Sequence, residues 1–470
     1  MRAARAADFF DAARWAGLAW DVWLGRWSDP KRIEARAQQR LRNLIAHARR
    51  ACPLYRDLYA PLARRAAAAL TDLPVVTKQL VMSNFDAAVA DPQITRAGLE
   101  RFCARTDRLG EPYLGRYAVW TSSGTSGESG WFVHDGDALA VYEALEMFRF
   151  RGLRTPADFA ARLAAGERYA LVAATGGHFA GVATVEHLRR SYPWLAPSVQ
   201  SFSLLQPLST LVEQLNAYRP ALLATYPTAA EVLADEAEAG RLRVDLREIW
   251  TGGECLHAPV RERLQRVFGC RVRNGYGASE FLSIAWECGH GALHVNADWV
   301  LLEPVDAQHR PVPPGVASAS VLLTNLANRA LPLIRYDLGD SITVHAEPCA
   351  CGSPFPAIAV EGRHDDVLRF AGARGAPPVK VLPLVITTVL EEVAGVHDFQ
   401  LVQTGPRTLR LLLGRGEQPH AAQAKAALAA YLMANGGARA TIEVADAPPI
   451  RSSTSGKLRR VVRLRWSADC

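Results

Sequence analysis

Residues 121–130 read Thr-Ser-Ser-Gly-Thr-Ser-Gly-Glu-Ser-Gly, and Trp131-Phe132 follow. Glycine lets a backbone approach a ligand with no Cβ in the way. Consecutive N–H groups in such a loop form a concavity for anions, and the hydroxyls add donors. A pyrophosphate suits that chemistry; the plain alternative is a flexible Ser/Gly surface loop. No Gly-Lys-Ser/Thr closes the segment, so it is not a Walker A loop. A second chemical set is Cys288, His290 and His294 upstream with Cys349 and Cys351 downstream. Three thiols and one imidazole complete a tetrahedral zinc set with no open position, which implies a structural role. His290 and His294 compete for the fourth place, and the strand-like Ala-Leu-His-Val setting favours His294. The alternatives are free buried thiols or a disulfide. Cys52, Cys103, Cys255, Cys270 and Cys470 lack such company and read as ordinary thiols.

Further segments of the same kind follow in a fixed order. They are Thr251-Gly252-Gly253-Glu254, Asn274-Gly275-Tyr276-Gly277-Ala278-Ser279-Glu280 and Arg335-Tyr336-Asp337-Leu338-Gly339-Asp340. Gly362-Arg363-His364-Asp365-Asp366 comes next, and Ser452-Ser453-Thr454-Ser455-Gly456-Lys457 lies near the C-terminus. Each alone reads as easily as a surface carboxylate, a core aromatic, a turn aspartate or a solvated tail lysine.

The elements that must position these residues are legible in outline. Residues 1–90 read as helical, with an Ala/Arg-rich helix from Ile33 to Ala51 stopped by Pro53. Thr77 is placed to cap a short helix. The first 27 residues resemble a signal peptide, but Asp8, Asp11, Arg14 and Asp21 break the apolar run and predict an amphipathic helix. From about 117, strand-like runs (169–173, 221–225, 248–251, 271–274) alternate with helical ones (137–149, 210–218, 229–239, 258–268). That alternation predicts α/β layers on a largely parallel sheet. Between 299 and 346 the helices vanish, and three strand-like runs predict a small β subdomain. A boundary near 361–364 leads into an α+β unit of about 100 residues, dividing the chain into 1–361 and 362–470.

The 470 residues carry 54 Lys+Arg against 47 Asp+Glu, and only five are lysines: Lys31, Lys78, Lys380, Lys425 and Lys457. Acids and bases are interleaved, with no like-charge run, which argues against nucleic acid as a partner. No stretch of about 18 apolar residues spans a membrane. Eight scattered cysteines are not a disulfide framework, so the expected compartment is the cytoplasm.

Taken in order, the motifs resemble the adenylate-forming superfamily of acyl-CoA synthetases, adenylation domains and luciferases. Within it, the chain is most similar to the phenylacetate–CoA ligase branch, over nearly its whole length. The resemblance implies ATP-dependent activation of a carboxylic acid, aromatic by expectation, to an acyl-adenylate that is passed to CoA. The alternatives are an amine or carrier-protein acceptor, or nucleotide binding without turnover. It implies that Ser122, Ser123, Gly124, Thr125, Ser126 and Gly127 hold ATP phosphates. Gly253 and Glu254 would line the adenine pocket, and Tyr276, beside Gly277, would cover the base. Ser279 would contact the α-phosphate and Glu280 would help hold Mg²⁺. Asp340 would accept from the ribose and Arg363 would add a contact. Asp365 would be the hinge of a mobile C-terminal lid carrying the catalytic Lys457. Thr175–Gly181 stands where the family begins its acyl pocket, which places His178, Phe179 and Gly181 on the acid. Two departures stand out. Glu128 occupies the place where the family's phosphate loop carries a lysine, and residues 370–378 lack the usual pattern before the second-step surface. Oligomeric state, monomer or homodimer, is not indicated.

Overall fold

The computed structural model of the chain describes residues 12–62, 70–122, 130–151, 161, 164, 166–175, 177–361, 367–373, 378–414, 416–450 and 458–464. Its N-terminal elements are helices. Asp29 accepts from the Arg32 N–H at 2.9 Å and Pro30 takes the first turn, opening helix Pro30–Ala51. Ile33, Ala37, Leu41, Leu44 and Ala48 recur at helical spacing and are all buried. Cys52 then leaves helical geometry, and Pro53 begins helix Pro53–Tyr59. Thr77 caps helix Lys78–Ser83 by accepting from Leu80 N–H at 3.2 Å. Helix Ala12–Gly25 is two-faced: Val22 is fully buried and Trp20 lies exposed.

Strands β1 (Ala118–Ser122) and β2 (Gly130–His134) form an antiparallel hairpin whose last pair is Ser122 with Gly130. The glycine-rich loop joins that pair, and its residues 123–129 lie outside the described residues. Helix Gly136–Leu145 follows and continues as one π-helical turn, Glu146–Phe150.

Five parallel strands come next: β3 (Tyr169–Ala173), β4 (Val199–Ser203), β5 (Leu222–Thr225), β6 (Glu248–Thr251) and β7 (Arg271–Ala278). Helices Ala180–Ser191, Leu208–Tyr218, Pro227–Glu238 and Ala258–Phe268 connect them. The chain then doubles back antiparallel through β8 (Phe281–Glu287) and β9 (Leu293–Val295). A three-stranded sheet contains β10 (Val300–Val305), β11 (Ser320–Asn325) and β12 (Tyr336–Asp337). Strands β13 (Ser341–Val344) and β14 (Ala357–Glu361) complete a nine-stranded sheet of order β13-β14-β9-β8-β7-β6-β5-β3-β4. The sequence places 341–345 with the small β subdomain, but β13 pairs with β14 at the edge of the large sheet. Alternation alone does not choose a strand's partner; β13 touches the smaller sheet by packing Ile342 with Val300, Val321 and Leu323 and by hydrogen bonds with the segment before β11, without forming a ladder with it.

Alternation along the parallel strands sends side chains to two apolar faces. Ala170, Val172, Leu223, Ile249 and Val272 face helices 208–218, 227–238 and 258–268. Leu222, Ala224 and Trp250 face the other way, with Phe150, Tyr169 and Leu171. Such doubly covered parallel strands are expected to be apolar throughout.

The C-terminal residues form their own sheets. Strands β15 (Leu368–Phe370) and β16 (Val379–Val381) pair. Strands β17 (Phe399–Gly405), β18 (Thr408–Leu413), β19 (Thr441–Ala445) and β20 (Val461–Arg463) form a four-stranded sheet of order β19-β18-β17-β20. Helix Ala421–Ala434 and a segment that is α-helical over Pro383–Thr388 and π-helical over Val389–Val393 accompany them. The apolar core of this unit, including Phe370, Ile386 and Phe399, is contiguous with that under the parallel sheet. Lys380 pairs with Asp235 of helix Pro227–Glu238 across the junction.

Candidate active site

In the parallel part of the sheet, β3 has β4 on one side and β5 on the other. The chain direction therefore reverses at β3, and in open α/β sheets ligands settle beyond the carboxyl ends of the strands at such a point. A cavity of about 840 Å³ lies there. Its walls include the ends of β3, β5 and β6 (Ala174, Tyr226, Gly253) and the end of β7 (Tyr276, Ser279).

The polar mouth of the cavity is built by turns. Residues Ser279 and Glu280 form the two-residue connection between β7 and β8, with Ala278 paired to Phe281. A bulge between Tyr276 and Ala278 re-aims the strand just before it. A Cβ on Gly277 would lie 2.0 Å from the Leu282 carbonyl oxygen, so only glycine fits. Tyr276 is nearly buried, and its hydroxyl donates to Asp340 at 2.8 Å. Burial, then the neighbouring Asp340 and Glu280 charges, hold that phenol well above its ordinary range. Gly253 has φ +77 and stands against the Tyr226 ring, where a Cβ would come within 3.0 Å. Its neighbour Glu254 accepts from the Thr228 N–H at 3.0 Å and from the Thr228 hydroxyl. The carboxylate thus serves the N-terminus of helix Pro227–Glu238.

Glu280 is the acid of the β7–β8 turn. Burial pushes its carboxyl up, opposed by backbone hydrogen bonding, by the nearby Lys78 ammonium and by the Tyr336 hydroxyl. Lys78 is the residue the motif reading missed. Its Nζ donates to Ser122 Oγ at 3.2 Å, at the foot of the glycine-rich loop, and a Cβ on Gly130 would meet its Cε at 2.8 Å. A parallel bridge from Val76 to Tyr336 carries the capped helix to this position. The available signal was composition: Lys78 is one of five lysines in an arginine-rich chain. His134 was also missed; fully buried and pushed down to about 3 by burial, it hydrogen-bonds the Ser279 carbonyl at 3.0 Å and fixes the turn.

The three expected acid-side residues line the same cavity. His178 is buried against Phe102, its Nε2 lies 3.4 Å from the Arg105 carbonyl, and burial pulls its pKa down. Its own carbonyl accepts from the Thr121 N–H at 2.8 Å, which ties the segment to β1. Phe179 precedes helix Ala180–Ser191, and Gly181 packs near Leu171. Ser123, Gly124, Thr125, Ser126, Gly127, Glu128, Arg363, Asp365 and Lys457 lie outside the described residues.

The Cys/His set forms a separate centre. Ligand atoms of Cys288, His294, Cys349 and Cys351 all lie within 4.8 Å of one another. Cys351 Sγ stands 3.2 Å from His294 Nε2, and Cys288 Sγ 3.8 Å from Cys349 Sγ. His294 is fully buried on β9, with Nδ1 held 2.8 Å from the Phe355 carbonyl. That bond leaves Nε2 free to act as a ligand, the usual outer support of a metal-bound imidazole. His290 joins only through its backbone N–H, 3.4 Å from Cys288 Sγ.

Residues 198–317 match the AMP-binding enzyme family. A phenylacetate-coenzyme A ligase of Thermus thermophilus is 29% identical over 202 residues, 41% of this chain and 44% of that protein. Protein CapK of Staphylococcus aureus is 24% identical over 142 residues, 30% of each chain. The aligned part is less than half the length of either relative. Among solved structures, 2-hydroxyisobutyryl-CoA ligase with 2-HIB-AMP and CoA superposes with a TM-score of 0.58 at 21% identity, covering 93% of this chain and 91% of that one. The same ligase in its postadenylation state gives 0.52 at 20% identity, covering 93% and 89%. Over residues 198–317 the chain is thus similar to AMP-binding enzymes, and it shares its fold with 2-hydroxyisobutyryl-CoA ligase.

Proposed function

We propose that this protein is an AMP-forming acid–CoA ligase. The observation that carries the reading is the convergence of Ser122, Lys78, Glu280, Tyr276 and Asp340 where an apolar cavity meets the carboxyl ends of a parallel sheet. A carboxylate is a poor acyl donor because its leaving group would be oxide. Its oxygen attacks the α-phosphorus of ATP, pyrophosphate leaves, and the mixed anhydride carries AMP as a good leaving group. The CoA thiolate then attacks the acyl carbon, AMP departs, and a thioester remains.

The main barrier to the first step is charge, since an anion must approach a polyanion. Positive groups fixed in a water-poor site are the strongest remedy. In this reading Lys78 supplies a fixed ammonium at the foot of the phosphate loop, and residues 122–127 supply backbone and hydroxyl donors. Lys78 thereby offsets the Glu128 that stands where relatives carry a loop lysine. Tyr276 and Gly253 bound the base, and Asp340 accepts from the ribose. Glu254 contributes at the adenine by fixing the start of helix Pro227–Glu238, given its bonds to Thr228. Glu280 would hold Mg²⁺ accompanying ATP, a hard cation suited to carboxylate and phosphate oxygen. Residues 362–470 act as a lid that turns at Asp365 and brings Lys457 to the α-phosphate, with Arg363 contacting nucleotide. Cys288, His294, Cys349 and Cys351 would hold a structural zinc, whose only contribution is to tie β8, β9 and the 349–355 segment together. In this reading the enzyme works in the cytoplasm.

The test is ATP–pyrophosphate exchange across a panel of carboxylic acids. Product mass spectrometry with and without CoA follows. Exchange with an acid and CoA-dependent thioester are the expected results. Adenylate formed but passed only to an amine or carrier thiol would redirect the second step. No exchange with any acid would sink the reading.

A further inference from the structure

The cavity reaches from the phosphate-loop foot at Ser122 to Tyr192 and Trp194. Phe179, beside Thr121, begins helix Ala180–Ser191, and Tyr192 ends it. Twelve helical residues span about 18 Å, so Tyr192 marks the end remote from the phosphate loop. The wall between them is apolar, with Leu171, Leu222, Ala224 and Trp250.

Four carboxylates border this space: Glu111, Glu143, Glu146 and Glu167. Glu111 pairs with Arg108 and Arg190, Glu146 with Arg151 and Glu167 with Arg247. Glu143 alone has no basic partner among the described residues. It projects from helix Gly136–Leu145, accepts from Trp15 Nε1 at 3.0 Å through Oε2, and its charge reaches the Tyr192 phenol. Burial pushes its carboxyl up to about 7 against the lowering effect of the Trp15 N–H. Among the described residues no hydrogen bond reaches its second oxygen, so that oxygen can take a donor from the cavity it lines.

We propose that Glu143 forms a subsite, at the far end of the cavity, for a hydroxyl or amino group carried by an extended acid. The proposal rests on the acid-activating reading and names the substrate class within it: long acids whose end remote from the carboxylate donates a hydrogen bond. Trp15, Tyr192 and Trp194 line the cavity around this end, which suits an aromatic bearer of that donor. A site built to hydrogen-bond a substrate group rejects the analogue lacking it much more strongly than an apolar pocket rejects a missing methylene.

The experiment uses the full chain, MgATP, labelled pyrophosphate and three length-matched series: ω-phenyl, ω-(4-hydroxyphenyl) and ω-(4-aminophenyl) alkanoic acids. Wild type is expected to favour the hydroxyl- or amino-ended acid of the best length by roughly 10–100-fold in kcat/KM. Glu143→Leu is expected to abolish that preference while keeping exchange with the ω-phenyl acid, which also reports that it folds. Glu143→Gln keeps an acceptor for Trp15 and for the substrate, so it retains most of the preference for the hydroxyl. Equal use of phenyl- and donor-ended acids by wild type, or an undiminished preference in Glu143→Leu, overturns the subsite and leaves acid activation standing. Exchange with none of the acids overturns both.

Discussion

Strand β8 joins two polar centres of opposite character. Glu280 stands immediately before it and Cys288 immediately after it. Its seven residues span about 23 Å. At the Cys288 end, four donors lie within 4.8 Å of one another, and the histidine is fully buried and oriented by a backbone carbonyl. In the proposed zinc site these four would supply every ligand and leave no position for a substrate. At the Glu280 end, no such closed set exists among the described residues. Ser122 and Tyr276 border a cavity, and Lys78 and Asp340, from elements far apart in sequence, bond to them. Closure marks a centre that holds structure, and convergence on open space marks one that can do chemistry.

The comparison breaks most sharply if the open end tolerates loss of its charges. Lys457→Ala is expected to lower ATP–pyrophosphate exchange by on the order of 10²–10³-fold. ATP affinity, read by equilibrium binding, is expected to stay within about threefold, because in the proposed mechanism the lysine would act on charge developed in the transition state. Exchange at the wild-type rate would remove Lys457 from the mechanism.

Glu280→Gln comes next. The amide can still bond the Tyr336 hydroxyl but carries no charge to hold a divalent cation. Exchange is expected to fall on the order of 10²-fold, with a higher Mg²⁺ concentration needed for half-maximal rate. An unchanged Mg²⁺ titration would make Glu280 a packing residue. Lys78→Met keeps the aliphatic stem that packs on Gly130 and removes the ammonium. It is expected to raise KM for ATP about tenfold with a smaller change in kcat, the pattern of lost ground-state binding. If kcat and KM both hold, the missing loop lysine has no replacement at this position.

Local signals made much of this legible in the sequence. Thr77 before a short helix, Pro53 after a long one, and the glycine-bearing turns after β6 and β7 all act within a few residues of themselves. The strand–helix alternation likewise reports a parallel sheet, because each crossover needs its own helix. What escaped was long-range. Lys78 reaches Ser122 only because Val76 bridges Tyr336, more than 250 residues away in sequence. Strand β13 left the expected small sheet because ladder partners are chosen by tertiary position. Glu143 sits on a helix that reads as ordinary, and only Trp15 of helix Ala12–Gly25 and the nearby Tyr192 make its carboxyl notable.

The smallest effect on activity belongs to the closed end, and it sharpens the contrast. Cys349→Ser removes one thiol from the partly exposed 349–352 turn while leaving His294 and its Phe355 bond in place. Purified without chelator, the wild type is expected to hold one zinc per chain, which elemental analysis measures, and the variant markedly less. Metal-site energy is folding energy, so the melting temperature is expected to fall by roughly 5–10 °C. Exchange at room temperature is expected to stay within about threefold of wild type, less than 1 kcal/mol of barrier. Separate outcomes for the two ends of one strand require that β8 stay in register when its far anchor loosens. Its pairing with β7 through Gly275–Trp286 and Tyr276–Ala285 lies between the two centres and provides that buffer. A tenfold loss of exchange in a variant that remains folded would mean that the ladder transmits the disturbance, and that the metal centre helps position Glu280.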